Sequence, residues 1–260
     1  MSAPRLPAAL LQYPIAHRAL HDRAAGRPEN SRAAIRAAID AGYSIEIDIQ
    51  RTHDGQAMVF HDYDLARLTG RPGPIQQHNS ADLAALPLLG GDGECIPTLA
   101  EVLALVAGRA PLLIELKDQH GQMGVTDCRL ERAVAQDLAG YDGPAALMSF
   151  NPHMVIAMAD LSPQIARGIV TEAYALDDDS LGPLNAETRE RLRAIPDYTT
   201  ARASFISHHW RDLARPRVTE LKAAGADVLC WTIRNAADEA EARKIAQNVT
   251  FEGYRAALPA

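Results

Sequence analysis

Apolar residues recur along the chain in two rhythms that take turns. In Ile45-Glu46-Ile47-Asp48-Ile49 they alternate strictly with acidic ones. Alternation at period two is the strand rhythm. It puts Ile45, Ile47 and Ile49 on one face and Glu46 and Asp48 on the other. Residues 29–41 instead follow the helical rhythm, with Pro28 before them and Gly42 after them as start and stop signals. The same reading predicts strands over 13–18, 43–50, 111–117, 145–150, 164–170, 204–207, 226–232 and 248–251. Residues 56–61 extend or pair with the second strand after the Asp54-Gly55 turn signal. Helices are predicted over 98–107, 126–138, 152–159, 186–193, 215–224 and 236–245, and Thr98 with Glu101 forms a capping box.

Repeated strand-then-helix units give parallel strands. Eight of them, in a chain of 260 residues, predict an α/β fold of the (β/α)8 TIM-barrel type, for which about 250 residues is usual. No break in composition divides the chain, so a single domain over 1–260 is expected. Residues 62–97, after the second strand, are rich in Gly and Pro with one short helical piece near 80–85. They read as a small insertion, and long connections of this kind are usually functional.

Composition narrows the function classes. Lys and Arg number 26 against 33 Asp and Glu, for a net charge of −7. No basic block stands out, which argues against a nucleic-acid partner. No G-x-G-x-x-G or P-loop pattern precedes a helix, so nucleotide folds lose support. Cys95, Cys128 and Cys230 are scattered, the pattern of small packing residues in a reducing compartment. No apolar stretch approaches the ~20 residues of a membrane helix. The apolar run near residues 8–11 is too short for a signal-peptide core, and a cytoplasmic location is expected. The number of subunits is not legible.

Candidate chemistry gathers at the strand ends, where barrel enzymes carry their sites. The first strand ends in His17-Arg18, the second carries Glu46 and Asp48, the extended piece ends in His61-Asp62, and the third ends in Glu115-Leu116-Lys117. Taken alone, Glu46 and Asp48 could be a solvated strand face, and Glu115 with Lys117 a surface ion pair. Taken together, three carboxylates on buried strand ends need a cation, and oxygen ligands suit Mg2+ or Ca2+. Arg18 and Lys117 add positive charge for a phosphate. His17 and His61 supply an acid and a base near neutral pH. These are the parts for cleaving a phosphodiester: charge stabilisation on the non-bridging oxygens, proton removal from the nucleophile and protonation of the leaving alkoxide.

Other polar residues have plainer readings. Asp62 either orients His61 or caps the turn. His208 and His209 point apart if they lie on a strand, which disfavours a joint ligand pair. His21, His53, His78, His120 and His153 read as surface or loop residues. Asp177-Asp178-Asp179 could attract a cation but reads more simply as a solvated run. Phe150 stands at a strand end and is assigned to the pocket.

With these residues in hand, the sequence resembles the glycerophosphodiester phosphodiesterase family. The resemblance rests on His17-Arg18, Pro28-Glu29-Asn30-Ser31, Glu46-Ile47-Asp48, Thr52-His53-Asp54-Gly55, His61-Asp62 and Arg67-Leu68-Thr69-Gly70. It continues through Ile96-Pro97-Thr98-Leu99, Glu115-Leu116-Lys117, Ser149-Phe150 and Trp231-Thr232. These landmarks run in order through nearly the whole chain. The resemblance implies a metal-dependent cleavage of glycerophosphodiesters to sn-glycerol 3-phosphate and an alcohol. It implies His17 and His61 as the acid–base pair, Glu46, Asp48 and Glu115 as metal ligands, and Arg18 and Lys117 as phosphate contacts. It also implies Trp231 as an apolar wall, with Glu29 and Asn30 organising the loop after the first strand. Two departures stand out. The family usually has Gly where this chain has Ala19, whose methyl would tighten the turn or narrow the mouth. Near the last strand the usual Thr-Asp or Thr-Asn is replaced by Thr250-Phe251-Glu252-Gly253, which puts the substrate-facing wall in question. Two alternatives remain at this stage: a lysophospholipase-D-like activity, which calls for an exposed apolar rim, and a non-catalytic phosphodiester binder.

Overall fold

A computed structural model describes residues 3–175, 178, 182 and 184–259. Its strands are β1 (Ile15–Ala16), β2 (Ser44–Arg51), β3 (Ala57–Val59), β4 (Leu112–Leu116), β5 (Ala145–Ser149), β6 (Ala166–Thr171), β7 (Phe205–His209), β8 (Asp227–Ile233) and β9 (Asn248–Phe251). All except β3 are parallel to their neighbours, in the order β1-β2-β4-β5-β6-β7-β8-β9. Short β1 pairs with both β2 and β9 and so closes the ring. The fold is the predicted (β/α)8 barrel.

The alternation read from the sequence sets which way each side chain faces. Ile45, Ile47 and Ile49 of β2, with Leu112, Ile114 and Leu116 of β4, pack outward with residues of the surrounding helices. The helices include α2 (Arg32–Ala41), α5 (Leu99–Val106), α6 (Arg129–Asp137) and α7 (Pro152–Leu161). Ser31 caps α2 by accepting from the Ala34 amide, and Gly42 ends it at φ 78°. The Thr98/Glu101 capping box opens α5 as expected. The opposite face of the strands fills the barrel with Leu113, Ala146, Met148, Val170, Phe205 and Leu229. Phe205 has room only because residue 168 is Gly; a Cβ there would lie 2.4 Å from its ring.

One end of the barrel is plugged by a short helix, α1 (Ala8–Gln12), which the sequence reading did not predict. Leu6 and Leu10 join the interior cluster, and the Asn248 side chain donates to the carbonyls of Leu10 and Tyr13. Asn248 and Ser44 begin their strands, so α1 seals the N-terminal face and leaves the C-terminal face open.

The structure redraws several of the expected boundaries. The strand expected over 13–18 is only Ile15–Ala16. Of the two readings of 56–61, pairing holds: residues 57–59 pair antiparallel with the second strand, outside the ring, and do not prolong it. The 62–97 insertion holds more than one helical piece, with α3 (Ala66–Thr69), a 3-10 turn at Ile75–Gln77 and α4 (Ser80–Ala84). Its Leu65, Leu68, Ile75, Leu83, Leu88 and Ile96 form an apolar cluster of their own with Met58 and Phe60. The remaining helices are α8 (Ala186–Ala194), α9 (Pro216–Ala223) and α10 (Ala236–Ala242). The Asp177-Asp178-Asp179 run lies, apart from Asp178, outside the described residues. The three cysteines form no disulfide, and Cys230 is buried. Among the described residues no helix is long and apolar enough to cross a membrane.

Candidate active site

At the open end of the barrel, the inward positions of β2 and β4 carry acids where the deeper layers carry aliphatics. Asp48 and Glu115 face each other across the β2–β4 register, with Glu46 one inward position deeper on β2. Glu46, Asp48 and Glu115 are 1%, 1% and 6% exposed, and one carboxylate oxygen from each lies within 4.8 Å of the others. Three negative charges so close and so dry cannot all persist without compensation. Lys117 provides part of it, with Nζ 2.7 Å from Asp48 Oδ1 and 2.6 Å from Glu115 Oε1. Burial opposes ionisation of Asp48, but Lys117, His61 and Arg18 outweigh it and hold that carboxyl well below its ordinary range. Glu46 is left over. Its Oε2 accepts the Arg18 amide at 2.7 Å, and its Oε1 has no hydrogen-bond partner. Burial, then Asp48 and Glu115, push the Glu46 carboxyl well above its ordinary range. The cluster therefore lacks positive charge, and its all-oxygen donor set fits a hard divalent cation.

Two imidazoles stand beside it, each fixed through Nδ1. His17 follows β1, and its Nδ1 lies 2.6 Å from Glu252 Oε2 just past β9. Glu252 is held in turn by Arg234 at 2.6 Å. Burial lowers the His17 pKa, partly offset by the Glu252 hydrogen bond, so the neutral ring prevails at neutral pH. With Nδ1–H donated to Glu252, the lone pair falls on Nε2. His61 follows β3, and its Nδ1 lies 2.7 Å from Asp62 Oδ1. Arg67 of α3 grips Asp62 through Nε at 2.6 Å and Nη2 at 2.8 Å, and also bonds both oxygens of Glu29 at 2.7 Å.

The loop after β1 joins these parts. Arg18, Ala19 and Asn30 all have positive φ, at 51°, 64° and 60°. The Ala19 methyl thus sits in a left-handed turn that costs an L-residue roughly 1–2 kcal/mol, which is the reason Gly is usual there. The turn aims the Arg18 amide at Glu46 and lets Asn30 bond Asp48 twice, donating from Nδ2 at 2.9 Å and accepting the Asp48 amide at 3.2 Å. Arg18 Nη1 reaches Glu29 at 2.8 Å, and Nε is 3.6 Å from Asp48.

Comparison with known proteins places the chain in a family. The profile of the glycerophosphoryl diester phosphodiesterase family matches residues 17–250, from the first imidazole to the last strand. The chain belongs to that family. It is a glycerophosphodiester phosphodiesterase, a phosphoric diester hydrolase. The chain is similar to the Bacillus subtilis (strain 168) protein YhdW, with 29% identity over 233 residues covering 86% of each chain. It is also similar to the glycerophosphodiester phosphodiesterase of the same organism, at 24% identity over 210 residues, 75% of this chain and 68% of that one. A solved Oleispira antarctica phosphodiesterase, in complex with the product sn-glycerol-3-phosphate, superposes with a TM-score of 0.74 at 25% identity. The match covers 96% of this chain and 93% of that one. The glycerophosphodiester phosphodiesterase of Agrobacterium tumefaciens str. C58 shares the fold, with a TM-score of 0.67, 22% identity and coverage of 92% and 96%.

In this phosphodiesterase most of the predicted site residues meet at one cavity, although Asp48 is not among those that line it. His17, Arg18, Glu46, His61, Glu115 and Lys117 line one cavity of about 290 Å³. Phe150 and Trp231 form its apolar wall, edge to face with centroids 5.3 Å apart. Trp231 Nε1 donates to the Ser207 carbonyl at 3.0 Å, which fixes the indole. Glu29 and Asn30 stand behind the cavity, holding Arg18, Arg67 and Asp48. His208 and His209 point apart, as strand geometry requires. His208 is sealed against Thr171 and Asp212, while His209 joins the cavity wall beside Trp231.

Three features of the enzyme escaped the sequence. Glu252, read as a doubtful substrate wall, backs His17. Arg67 belonged to a recognised motif without an assigned partner. His21, read as surface, lies 3.6 Å from Glu252. Only their place at strand ends or in the insertion could have hinted at this.

Proposed function

We propose that the enzyme hydrolyses glycerophosphodiesters to sn-glycerol 3-phosphate and an alcohol, with His17 as general base, His61 as general acid and a divalent cation, Mg2+ or Ca2+, on Glu46, Asp48 and Glu115. The observation that carries this reading is the meeting of two carboxylate-backed imidazoles and an undercompensated acid cluster on one cavity. The bound cation would neutralise the acids and draw charge from a non-bridging phosphate oxygen.

The residues divide the remaining work. His17, neutral with Nε2 free, is suited to take the proton of the attacking hydroxyl. His61 lines this cavity and also the wider one beside it, so it is suited to protonate the alcohol leaving toward that side. Arg18 and Lys117 border the same cavity and carry positive charge toward the phosphate. Trp231 and Phe150 would exclude water from the glycerol side.

Two observations weigh against the other readings. Among the described residues, the large exposed apolar side chains are Tyr63, Leu89, Val125, Leu161 and Leu258, and of these only Tyr63 lines either cavity, which does not make the rim a lysolipid needs. A mere binder has no use for both imidazoles and all three acids. The test is release of sn-glycerol 3-phosphate from glycerophosphocholine. Release with added Mg2+ or Ca2+ that stops on chelation supports the reading, and no release with any cation overturns it.

A further inference from the structure

Beside the cavity of the two imidazoles lies a wider one of about 640 Å³, and the two share His61, Glu115, Lys117 and Phe150. If the phosphate sits at that shared wall, as the proposed hydrolysis requires, the wider cavity receives one of its two substituents. His61 on the shared wall makes that substituent the departing alcohol. Attack at phosphorus breaks the P–O bond to it, its oxygen takes the His61 proton, and it leaves with its hydroxyl restored.

The lining has an unusual charge pattern. Tyr63, Met123, Phe150 and Tyr174 give apolar and aromatic faces. Among them stands Glu172, the first residue after β6. Glu172 is half-buried and makes no hydrogen bond or ion pair among the described residues. The other acids of the second cavity's own wall are already engaged. Asp62 binds His61 and Arg67, Asp64 accepts from the amides of Ala66 and Gly73, and Asp118 accepts from Asn151 and nearby amides. The Tyr174 hydroxyl is likewise buried without a partner.

A carboxylate withdrawn from water without a cation is unfavourable. Burial, then Asp178 and Asp212, push the Glu172 carboxyl up to about 7. What relieves it is a ligand that brings its own positive charge. A metal ion would want several oxygens, and among the described residues the acids that gather closely enough are Glu46, Asp48 and Glu115 instead. Aromatic faces beside a single carboxylate suit an organic ammonium.

We propose that the wider cavity is the leaving-alcohol subsite and that Glu172, with the rings of Tyr63, Phe150 and Tyr174, selects alcohols bearing an ammonium group. This rests on the hydrolysis proposed above. The test compares kcat/KM of the metal-loaded enzyme on four diesters that share the glycerophosphate half: glycerophosphocholine, glycerophosphoethanolamine, glycerophosphoglycerol and glycerophosphoserine. The choline and ethanolamine diesters are expected to lead glycerophosphoglycerol by about tenfold, and Glu172→Gln to reduce that ratio to near unity. Glu172→Asp, which keeps the charge, is expected to retain most of the ratio. Release from all four diesters at similar kcat/KM, or a ratio unmoved by Glu172→Gln, overturns the subsite while leaving the hydrolysis intact. No release from any diester overturns the hydrolysis and the subsite together, and is told apart by its zero rate.

Discussion

His17 and His61 each rest Nδ1 on a carboxylate, yet the two supports are made in opposite ways. The carboxylate behind His17 arrives from 235 residues away, brought there by closure of the barrel between β1 and β9. The carboxylate behind His61 is the next residue, steadied by Arg67 from an insertion with its own apolar cluster. One imidazole therefore depends on the whole ring being closed. The other depends on a more local unit, which is expected to open at a smaller free energy than global unfolding.

Removing each ring gives the largest expected effect. His17→Ala and His61→Ala should each lower kcat for glycerophosphocholine by about 100-fold or more with the fold retained. Near-normal turnover in either variant would contradict its role. Removing each support is the next test. Glu252→Gln and Asp62→Asn should each cost roughly 10–100-fold, the range typical of residues that orient a functional group. The two are expected to differ under denaturant. At low urea, Arg67→Ala should lose activity before its fluorescence changes, whereas Glu252→Gln should lose both together. Coincident loss in both variants would remove the distinction between a local and a global support.

Acid gives a smaller, signed test. The hydrogen bond from His17, with His21 3.6 Å away and Arg234 paired to it, holds Glu252 well below its ordinary 4.5. Burial opposes ionisation of Asp62, but His61 and Arg67 hold it below its ordinary 3.8. A carboxyl depressed in the folded state stabilises above its unfolded pKa, and that contribution fades as pH falls toward the folded one. Melting temperature should therefore drop as pH falls below about 4.5, and less steeply in Glu252→Gln. Parallel curves would deny Glu252 that contribution. The smallest effect is expected beyond the insertion. Thr98→Ala removes the capping box of α5 and should cost about 1 kcal/mol of stability without altering kcat.

The sequence carried the parts of the site that have local signatures. Alternation in Ile45–Ile49 set which face of β2 holds Glu46 and Asp48, and Glu115 with Lys117 repeated the pattern on β4. Gly42 and Thr98 marked helix ends that the structure retains, whereas α2 begins at Arg32 behind Ser31 and not at residue 29. Glu252 could not be found this way, because nothing near it in the chain says that β9 closes on β1. Arg67 and Glu172 were hidden for the same reason, since their meaning lies in partners, or in the lack of a partner, that only the fold supplies. Arg18 and Lys117 were read as phosphate contacts; they line the cavity and are paired with Glu29, Asp48 and Glu115. The insertion was harder to read because its apolar residues are spaced by Gly and Pro and follow neither the strand nor the helix rhythm.

Calorimetric titration of Mg2+ or Ca2+ into the chelator-stripped enzyme tests most directly whether the three buried acids hold a divalent cation. The expected result is one site per chain, weakened about tenfold or more by Glu46→Gln, in line with loss of one of three carboxylate charges. Absence of binding, or equal affinity in the wild type and Glu46→Gln, would contradict it.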